Sequence, residues 1–220
     1  LNMEHLFNAI KRPFTNFSKL LIGIIFSIIP IVNFMAIGYQ IQCAKTAMSN
    51  KFMLPKWENF GKLFITGIIG SVIVFIYSIP ALVLLILAFA TFVVDPINFI
   101  ASGGAGIEAA LANGVTGPVI VLLVLGIIAL VLASLVGSSA LINYSSSLKF
   151  ENGFKKSVWR KAFSGKFFGT WLLAGIYGFL IAVILGLIPA FGIIDIGDGI
   201  QSFIYGVTYM TALATIYKKL

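Results

Sequence analysis

Long apolar runs alternate with short polar segments along this chain of 220 residues. Four of the runs lie at residues 63–94, 118–147, 167–188 and 199–217, and a Gly/Ala-rich connection at residues 95–117 separates the first two. A helix needs ~20 residues to cross ~30 Å of hydrocarbon, which each run supplies or closely approaches. The pattern predicts four transmembrane helices, and a shorter apolar run at residues 20–44 adds a further membrane region.

The fifteen lysine and arginine residues fall into four clusters that separate these runs. The clusters lie at residues 11–19, 45–62, 149–166 and 218–219, and the segments between them contain no basic residue. Because cytoplasmic loops gather Lys and Arg, all four clusters and both termini are predicted to be cytoplasmic in a multi-pass protein of the cell (plasma) membrane. Asp95 and Asp198 are then outside, where Asp198 is predicted to be the N-cap of the last helix.

The shorter run at residues 20–44 fits one span comfortably and two spans only with short helices. A single span would place one of the first two basic clusters outside. Two helices, from Thr15 to Ile29 and from Ile31 to Met48, keep both clusters inside, and short helices are accommodated by local thinning of the bilayer. We therefore predict a helical hairpin that turns at residues 30–33.

The predicted fold class is all-α, a polytopic transmembrane bundle of six helices in three hairpins with basic interfacial helices. A single transmembrane domain is expected over residues 1–220. Each hairpin begins with Phe followed by Lys two or three residues later, and Ile-Pro follows farther along. This internal similarity suggests hairpin repeats at residues 1–50, 51–148 and 149–220.

Basic amphipathic segments precede the first and third hairpins, at residues 3–17 and 154–163. Such helices lie in the headgroup plane, where Lys and Arg extend toward phosphates and Trp forms an aromatic belt. They are either a lipid- or partner-binding surface or simple anchors. The candidate lipid-headgroup contacts are Lys11, Arg12, Trp57, Lys155, Lys156, Trp159, Arg160 and Lys161.

Polar residues mark the helices that return to the cytoplasm, and on the last helix they form one continuous stripe. The candidate cavity lining comprises Gln42, Asn143, Ser146, Gln201, Tyr205, Thr208, Thr211 and Thr215. Polar groups in a membrane face protein or water rather than lipid. The stripe therefore lines a hydrophilic cavity or pore, or its hydroxyls bond their own backbone within a packed bundle.

Small residues recur at one-turn spacing on two of the predicted helices, a pattern that permits close helix packing in lipid. They are Ala129, Ala133 and Gly137 on one helix and Ala174, Gly178, Ala182 and Gly186 on the other. These stripes are either seams within one chain or the interface of a homo-oligomer.

Composition supports a membrane protein without catalytic equipment. The chain is 60% hydrophobic and 10% charged, and its net charge of +8 suits anionic lipid better than nucleic acid because the cations flank apolar runs. One cysteine and one histidine leave no metal-binding set, and no nucleotide-binding or hydrolase motif occurs. We therefore expect no catalytic residue, no metal and no cofactor.

The most specific string is Leu54-Pro-Lys-Trp-Glu-Asn-Phe-Gly61, which follows Ile29-Pro-Ile-Val-Asn33 and Gly38-Tyr39. Together these residues resemble the prokaryotic, largely archaeal membrane family called domain of unknown function 4013. The resemblance implies a small, all-helical polytopic protein and assigns no activity. Lys56 stands where the family pattern leads us to expect an acid.

Two functions from different classes fit these patterns. The leading hypothesis is a passive pore or small-solute transport protein, in which the polar stripes converge on a cavity. The alternative is a non-enzymatic scaffold that binds membrane lipid or a partner through its basic helices; an embedded lipid-modifying enzyme is a distant third. Apart from Lys45 near a helix end, no ionisable residue lies inside a predicted span, which argues against charge-moving transporters.

Overall fold

A computed structural model describes residues 3–101, 117–187 and 196–220, and the secondary structure within those ranges is helical throughout. The eight α-helices found there are α1 (Met3–Lys11), α2 (Phe17–Ile28), α3 (Asn33–Met48), α4 (Phe60–Ala101), α5 (Gly117–Ser147), α6 (Lys156–Ala162), α7 (Gly165–Gly186) and α8 (Ile196–Tyr217). Short 3-10 helices lie at Arg12–Thr15 and Phe150–Phe154. The predicted all-α class is confirmed.

Three helices are long and apolar enough to cross a membrane, by length and composition: α4 over Phe60–Thr91, α5 and α7. The first two hairpin helices are shorter, since α2 has 12 residues and α3 has 16. At ~1.5 Å per residue they reach about 18 and 24 Å, less than the ~30 Å hydrocarbon core. Among the described residues the candidate spans are therefore α4, α5 and α7. The fourth predicted span lies in α8, which has 22 residues but is not among these candidates.

Several helix ends lie a few residues from their predicted positions. The chain leaves the helical conformation between Ile28 and Asn33, close to the predicted turn, because the residue before Pro30 is extended, with φ −82° and ψ 117°. Farther along, α4 continues to Ala101 through the first part of the predicted connection. The last helix begins at Ile196, so Asp198 lies in its first turn and not at the N-cap, where its charge still favours the helix dipole.

The chain divides into two compact units whose boundaries fall inside α4 and α5. One unit comprises Leu1–Val74 with Ser138–Leu220, and the other comprises Phe75–Gly137. These boundaries differ from those of the possible hairpin repeats. The single domain and its repeats stay predictions.

In the first unit α8 is the central helix. It packs against α1, α2, α3 and α7, and it is buried almost continuously from Val207 to Tyr217. Close contacts need small residues: a Cβ on Gly178 of α7 would lie 2.6 Å from the Tyr205 ring, and Ala174 is 2% exposed. This half of the predicted α7 seam is therefore an intrachain contact, whereas a Cβ on Gly186 would meet no other described residue within 4 Å.

The closest helix crossing in this unit joins α3 and α4. A Cβ on Gly38 would lie 1.9 Å from the Leu63 carbonyl oxygen, and one on Gly67 would lie 1.8 Å from the Phe34 carbonyl oxygen. Both distances are far inside van der Waals contact with backbone atoms. The two helices therefore touch backbone to backbone, which only glycine permits here.

The second unit, Phe75–Gly137, contains parts of two helices with apolar outer faces. Small residues lie inside: Ala81 and Ala88 are fully buried, and Ala133 is 9% exposed. A Cβ on Gly126 would lie 2.7 Å from the Leu85 side chain, so α4 and α5 pack closely at this point. Large side chains such as Ile86 (64% exposed) face outward, as expected of a surface in contact with lipid.

Candidate functional site

Arg12 is the centre of a buried polar cluster in the first unit. Its side chain is fully buried, because α1 packs on α8 and the chain turns at Pro13. The guanidinium donates to four neutral oxygens: the Cys43 carbonyl at 2.7 Å, the Thr211 hydroxyl at 2.9 Å, the Thr46 hydroxyl at 2.5 Å and the Met53 carbonyl at 3.2 Å. The cluster therefore ties the N-terminal segment to α3, α8 and the loop after α3.

The predicted headgroup contact for Arg12 is wrong, since its charged group bonds inside the protein. Burial lowers the pKa of this guanidinium from its ordinary value because desolvation disfavours the charged form. Arginine still keeps its proton in proteins, so the cluster holds a permanent positive charge. The signal that sequence reasoning missed was the set of matching acceptors on α3 and α8.

Trp57 is also placed inside the protein. Its ring stacks on Tyr39 with 3.9 Å between centroids, and its indole N–H donates to the Lys19 carbonyl at 3.1 Å. The Tyr39 hydroxyl in turn donates to the Pro55 carbonyl at 2.8 Å. The Leu54–Gly61 string and the Gly38-Tyr39 pair are therefore parts of one aromatic contact, and the headgroup role predicted for Trp57 is replaced by packing.

The basic face of α6 lies on the outside of the first unit. Lys155, Lys156 and Arg160 are exposed, and Trp159 is 50% exposed. The opposite face of the helix is buried through Val158 and Ala162, and the Ser139 hydroxyl donates to the Val158 carbonyl at 2.8 Å. Packing on one side thus presents the four exposed residues together, the arrangement predicted for headgroup contacts.

The other two predicted headgroup contacts are held by aromatic rings. Lys161 is half-buried: its ammonium lies 4.1 Å from the centre of the Tyr217 ring and donates to the Tyr217 carbonyl at 3.2 Å. Desolvation and the neighbouring Arg160 charge lower the pKa of Lys161 from its ordinary value. Lys11 is exposed, with its ammonium 4.1 Å from the centre of the Phe7 ring.

The polar stripe of α8 packs against protein. Thr208, Thr211 and Thr215 are at most 2% exposed, and Gln201 and Tyr205 are half-buried. The Thr211 hydroxyl donates to the Val207 carbonyl at 2.6 Å, and the Thr215 hydroxyl donates to the Thr211 carbonyl at 2.8 Å. For these two threonines the arrangement matches the second interpretation, in which hydroxyls bond their own helix.

The remaining candidate lining residues lie apart from this stripe. The Asn143 amide donates to the Asn152 carbonyl at 2.7 Å, and the exposed Ser146 hydroxyl donates to the Asn143 carbonyl at 2.7 Å. Gln42 lines a pocket of about 130 Å³ with Lys45, Glu58, Asn59, Lys62 and Thr66. Of the eight predicted lining residues, Gln42 alone is among those that line this pocket.

No group of three or more His, Cys, Asp or Glu residues that could hold a metal ion occurs among the described residues. The free thiol of Cys43 is buried beside the Arg12 cluster.

Comparison with known proteins identifies the family. The family described as "Protein of unknown function (DUF4013)" matches residues 21–191, which include the α2–α3 turn, Tyr39 and the Trp57 string. No curated protein and no solved structure matches the sequence. The resemblance seen in the sequence is confirmed, and the chain belongs to this family of unknown function.

Proposed function

We propose that this protein is a non-enzymatic, multi-pass protein of the cell membrane that binds anionic lipid through the basic face of α6. The supporting observation is the exposure of Lys155, Lys156, Trp159 and Arg160 on one side of a helix whose other side is buried. Cations attract anionic headgroups by about 1 kcal/mol each near a membrane surface, and Trp prefers the same depth.

The proposed topology keeps six membrane helices in three hairpins, with both termini in the cytoplasm. The charge clusters support it, and α4, α5 and α7 supply three full-length spans by length and composition. Cysteine introduced at Ser157 should be shielded from an impermeant thiol reagent added outside cells. Labelling of residue 157 from outside would contradict this topology; Ser102, where labelling is expected, lies outside the described residues.

The lipid-binding proposal is tested by fluorescence quenching in liposomes. With Trp57 and Trp171 replaced by Phe, Trp159 reports on contact with brominated lipid. We expect stronger quenching by brominated phosphatidylglycerol than by brominated phosphatidylcholine. Lys155→Glu with Arg160→Glu should remove this preference.

A matched pair of reversals serves as the control for that test. Lys51→Glu with Lys56→Glu changes the net charge equally at two exposed residues in the loop between α3 and α4. This control should keep the preference for anionic lipid. The proposal would be overturned if both double variants lost the preference for anionic lipid equally, or if the protein with unmodified α6 showed no such preference.

The passive pore is the competing function, and the packing of α8 removes much of its support. Under the pore hypothesis, Leu at Thr208, Thr211 and Thr215 should abolish flux of ions or small solutes from liposomes. Under our proposal the parent protein gives no flux above protein-free liposomes. Flux that depends on these threonines would favour the pore.

A further inference from the structure

The pocket beside the α3–α4 crossing is polar and separate from the α6 surface. Its volume is about 130 Å³, room for a group as large as roughly four waters at ~30 Å³ each. It lies where α4 begins at Phe60, the start of a candidate membrane span. The pocket is therefore at the end of a membrane helix, the depth at which lipid headgroups are found.

Positive charge dominates the lining of this pocket. Lys45, from the last turn of α3, and Lys62, from the first turn of α4, both line it, against the single carboxylate of Glu58. Glu58 is itself paired with Lys56, with 3.6 Å between the charged atoms. The lining residues thus carry one net positive charge, and Lys56 offsets the Glu58 charge, so the pocket suits an anionic ligand.

The start of α4 adds donors to these cations. The Leu63 amide is bonded to the Asn59 carbonyl at 3.0 Å, so the amides of residues 60–62 precede the intrahelical ladder. Such amides favour an anion at the helix N-terminus. Lys62 and Asn59 line the pocket from the same turn, which brings the lysine charge and the helix end to one place.

One lining residue, Gln42, carries an acceptor that lacks a donor. Its Oε1 atom is buried and has no hydrogen-bond partner among the described residues. A buried oxygen without a donor costs free energy, about 1–3 kcal/mol, which a hydroxyl group bound in the pocket would recover when the Gln42 amide turns toward it. The ligand that fits therefore carries a hydroxyl donor as well as a negative charge.

We propose that this pocket binds a hydroxyl-bearing phosphate ester, with phosphate at Lys45 and Lys62 and a hydroxyl donating to Gln42. The glycerol phosphate headgroup of an anionic phospholipid and free glycerol phosphate share this chemistry. The site is distinct from the α6 face, so this proposal does not depend on the proposed function.

The experiment uses the full chain and two sources of the ligand. In the lipid arm, protein from nanodiscs of phosphatidylglycerol and phosphatidylcholine is examined by native mass spectrometry for retained phosphatidylglycerol. In the soluble arm, calorimetry measures binding of glycerol 3-phosphate and inorganic phosphate in detergent. We expect the double variant Lys45→Gln with Lys62→Gln to weaken binding at least tenfold in whichever arm shows binding by the parent protein.

Two further variants make the test specific. Lys51→Gln with Lys218→Gln is the matched control and should leave binding unchanged, because both residues lie outside the lining. Gln42→Leu should lower the preference for phosphatidylglycerol over phosphatidic acid, which lacks the glycerol hydroxyls, or for glycerol 3-phosphate over inorganic phosphate. Circular dichroism checks that each variant is folded.

The outcomes separate the two sources and the two proposals. Binding in the lipid arm alone identifies a headgroup site, and binding in the soluble arm alone identifies a free phosphate ester; both support the pocket. Binding in neither arm, or binding unaffected by the pocket variants, overturns it. Loss caused by Lys155→Glu with Arg160→Glu, and not by the pocket variants, would support α6 and reject the pocket.

Discussion

Two basic amphipathic segments of this protein differ in how deeply their arginines are buried. The segment at residues 3–17 and the segment at residues 154–163 both combine apolar and basic residues at helical spacing. In the first, Arg12 is fully buried and bonded to oxygens of α3, α8 and the loop after α3. In the second, Arg160 is exposed beside Trp159.

The difference shows that an amphipathic pattern identifies the apolar and polar faces of a helix, but not which face another helix covers. α1 is covered by α8, and the chain turn at Pro13 leaves Arg12 inside. α6 buries only Val158 and Ala162, so Lys156 and Arg160 stay exposed. The N-terminal segment is therefore a packing element, whereas α6 leaves a basic face exposed.

The largest predicted contrast is between the two arginines. Arg12→Leu removes the guanidinium that bonds two carbonyls and two threonine hydroxyls inside the protein, and we expect a loss of about 4 kcal/mol in the free energy of unfolding. Arg160→Leu should change it by less than about 0.5 kcal/mol, because this residue is exposed. Unfolding in mixed micelles, followed by circular dichroism, measures both.

Arg12→Lys sharpens this test. A lysine keeps the charge but cannot direct a planar set of donors at four oxygens, so it should recover little of the lost stability. Full recovery by lysine would show that charge alone matters. Equal stability of the Arg12→Leu and Arg160→Leu proteins would contradict the distinction between the two segments.

The next contrast compares two tryptophans. Trp57→Ala removes the stack on Tyr39 and the bond to the Lys19 carbonyl, and should cost about 3 kcal/mol. Trp159→Ala should cost less than about 1 kcal/mol, since half of this side chain is already exposed. The same unfolding measurement applies, and similar losses would place both rings in equivalent environments.

Local signals predicted much of the fold. Apolar run length predicted the helices that became α4, α5 and α7, and Pro30 predicted the break between α2 and α3. The exposed face of α6 followed from its amphipathic pattern, because one side of a short helix packs and the other does not. These features depend on neighbouring residues in sequence.

Features that depend on distant residues were not predicted. Arg12 bonds Thr211, 199 positions away, and no local pattern indicates that contact. The stripe on α8 was recognised, but periodicity does not tell whether water or another helix covers it. Here the covering elements include α1, α3 and α7, so the threonines are packed rather than solvated.

A third contrast uses two glycines. A methyl group on Gly38 meets the Leu63 carbonyl at 1.9 Å, so Gly38→Ala should force α3 from α4 and cost about 2 kcal/mol. A Cβ on Gly165, next to the α6 segment, would meet no atom within 4 Å in the part of the chain that the structure describes, so Gly165→Ala should be neutral or slightly stabilising. A neutral Gly38→Ala would mean that the helices are not in backbone contact.

The smallest predicted effect concerns helix capping, a property in which the two segments should behave alike. Asn16 caps α2 by accepting from the Lys19 amide at 3.0 Å, and Ser164 caps α7 by accepting from the Phe167 amide at 3.3 Å. A cap acts on its own helix end, so Asn16→Ala and Ser164→Ala should each cost about 1 kcal/mol. Unfolding of both variants in one micelle system provides the comparison. Two similar losses would show that the segments differ in what covers them and not in how their helices begin; a loss confined to one variant would show that the strength of a cap depends on its surroundings.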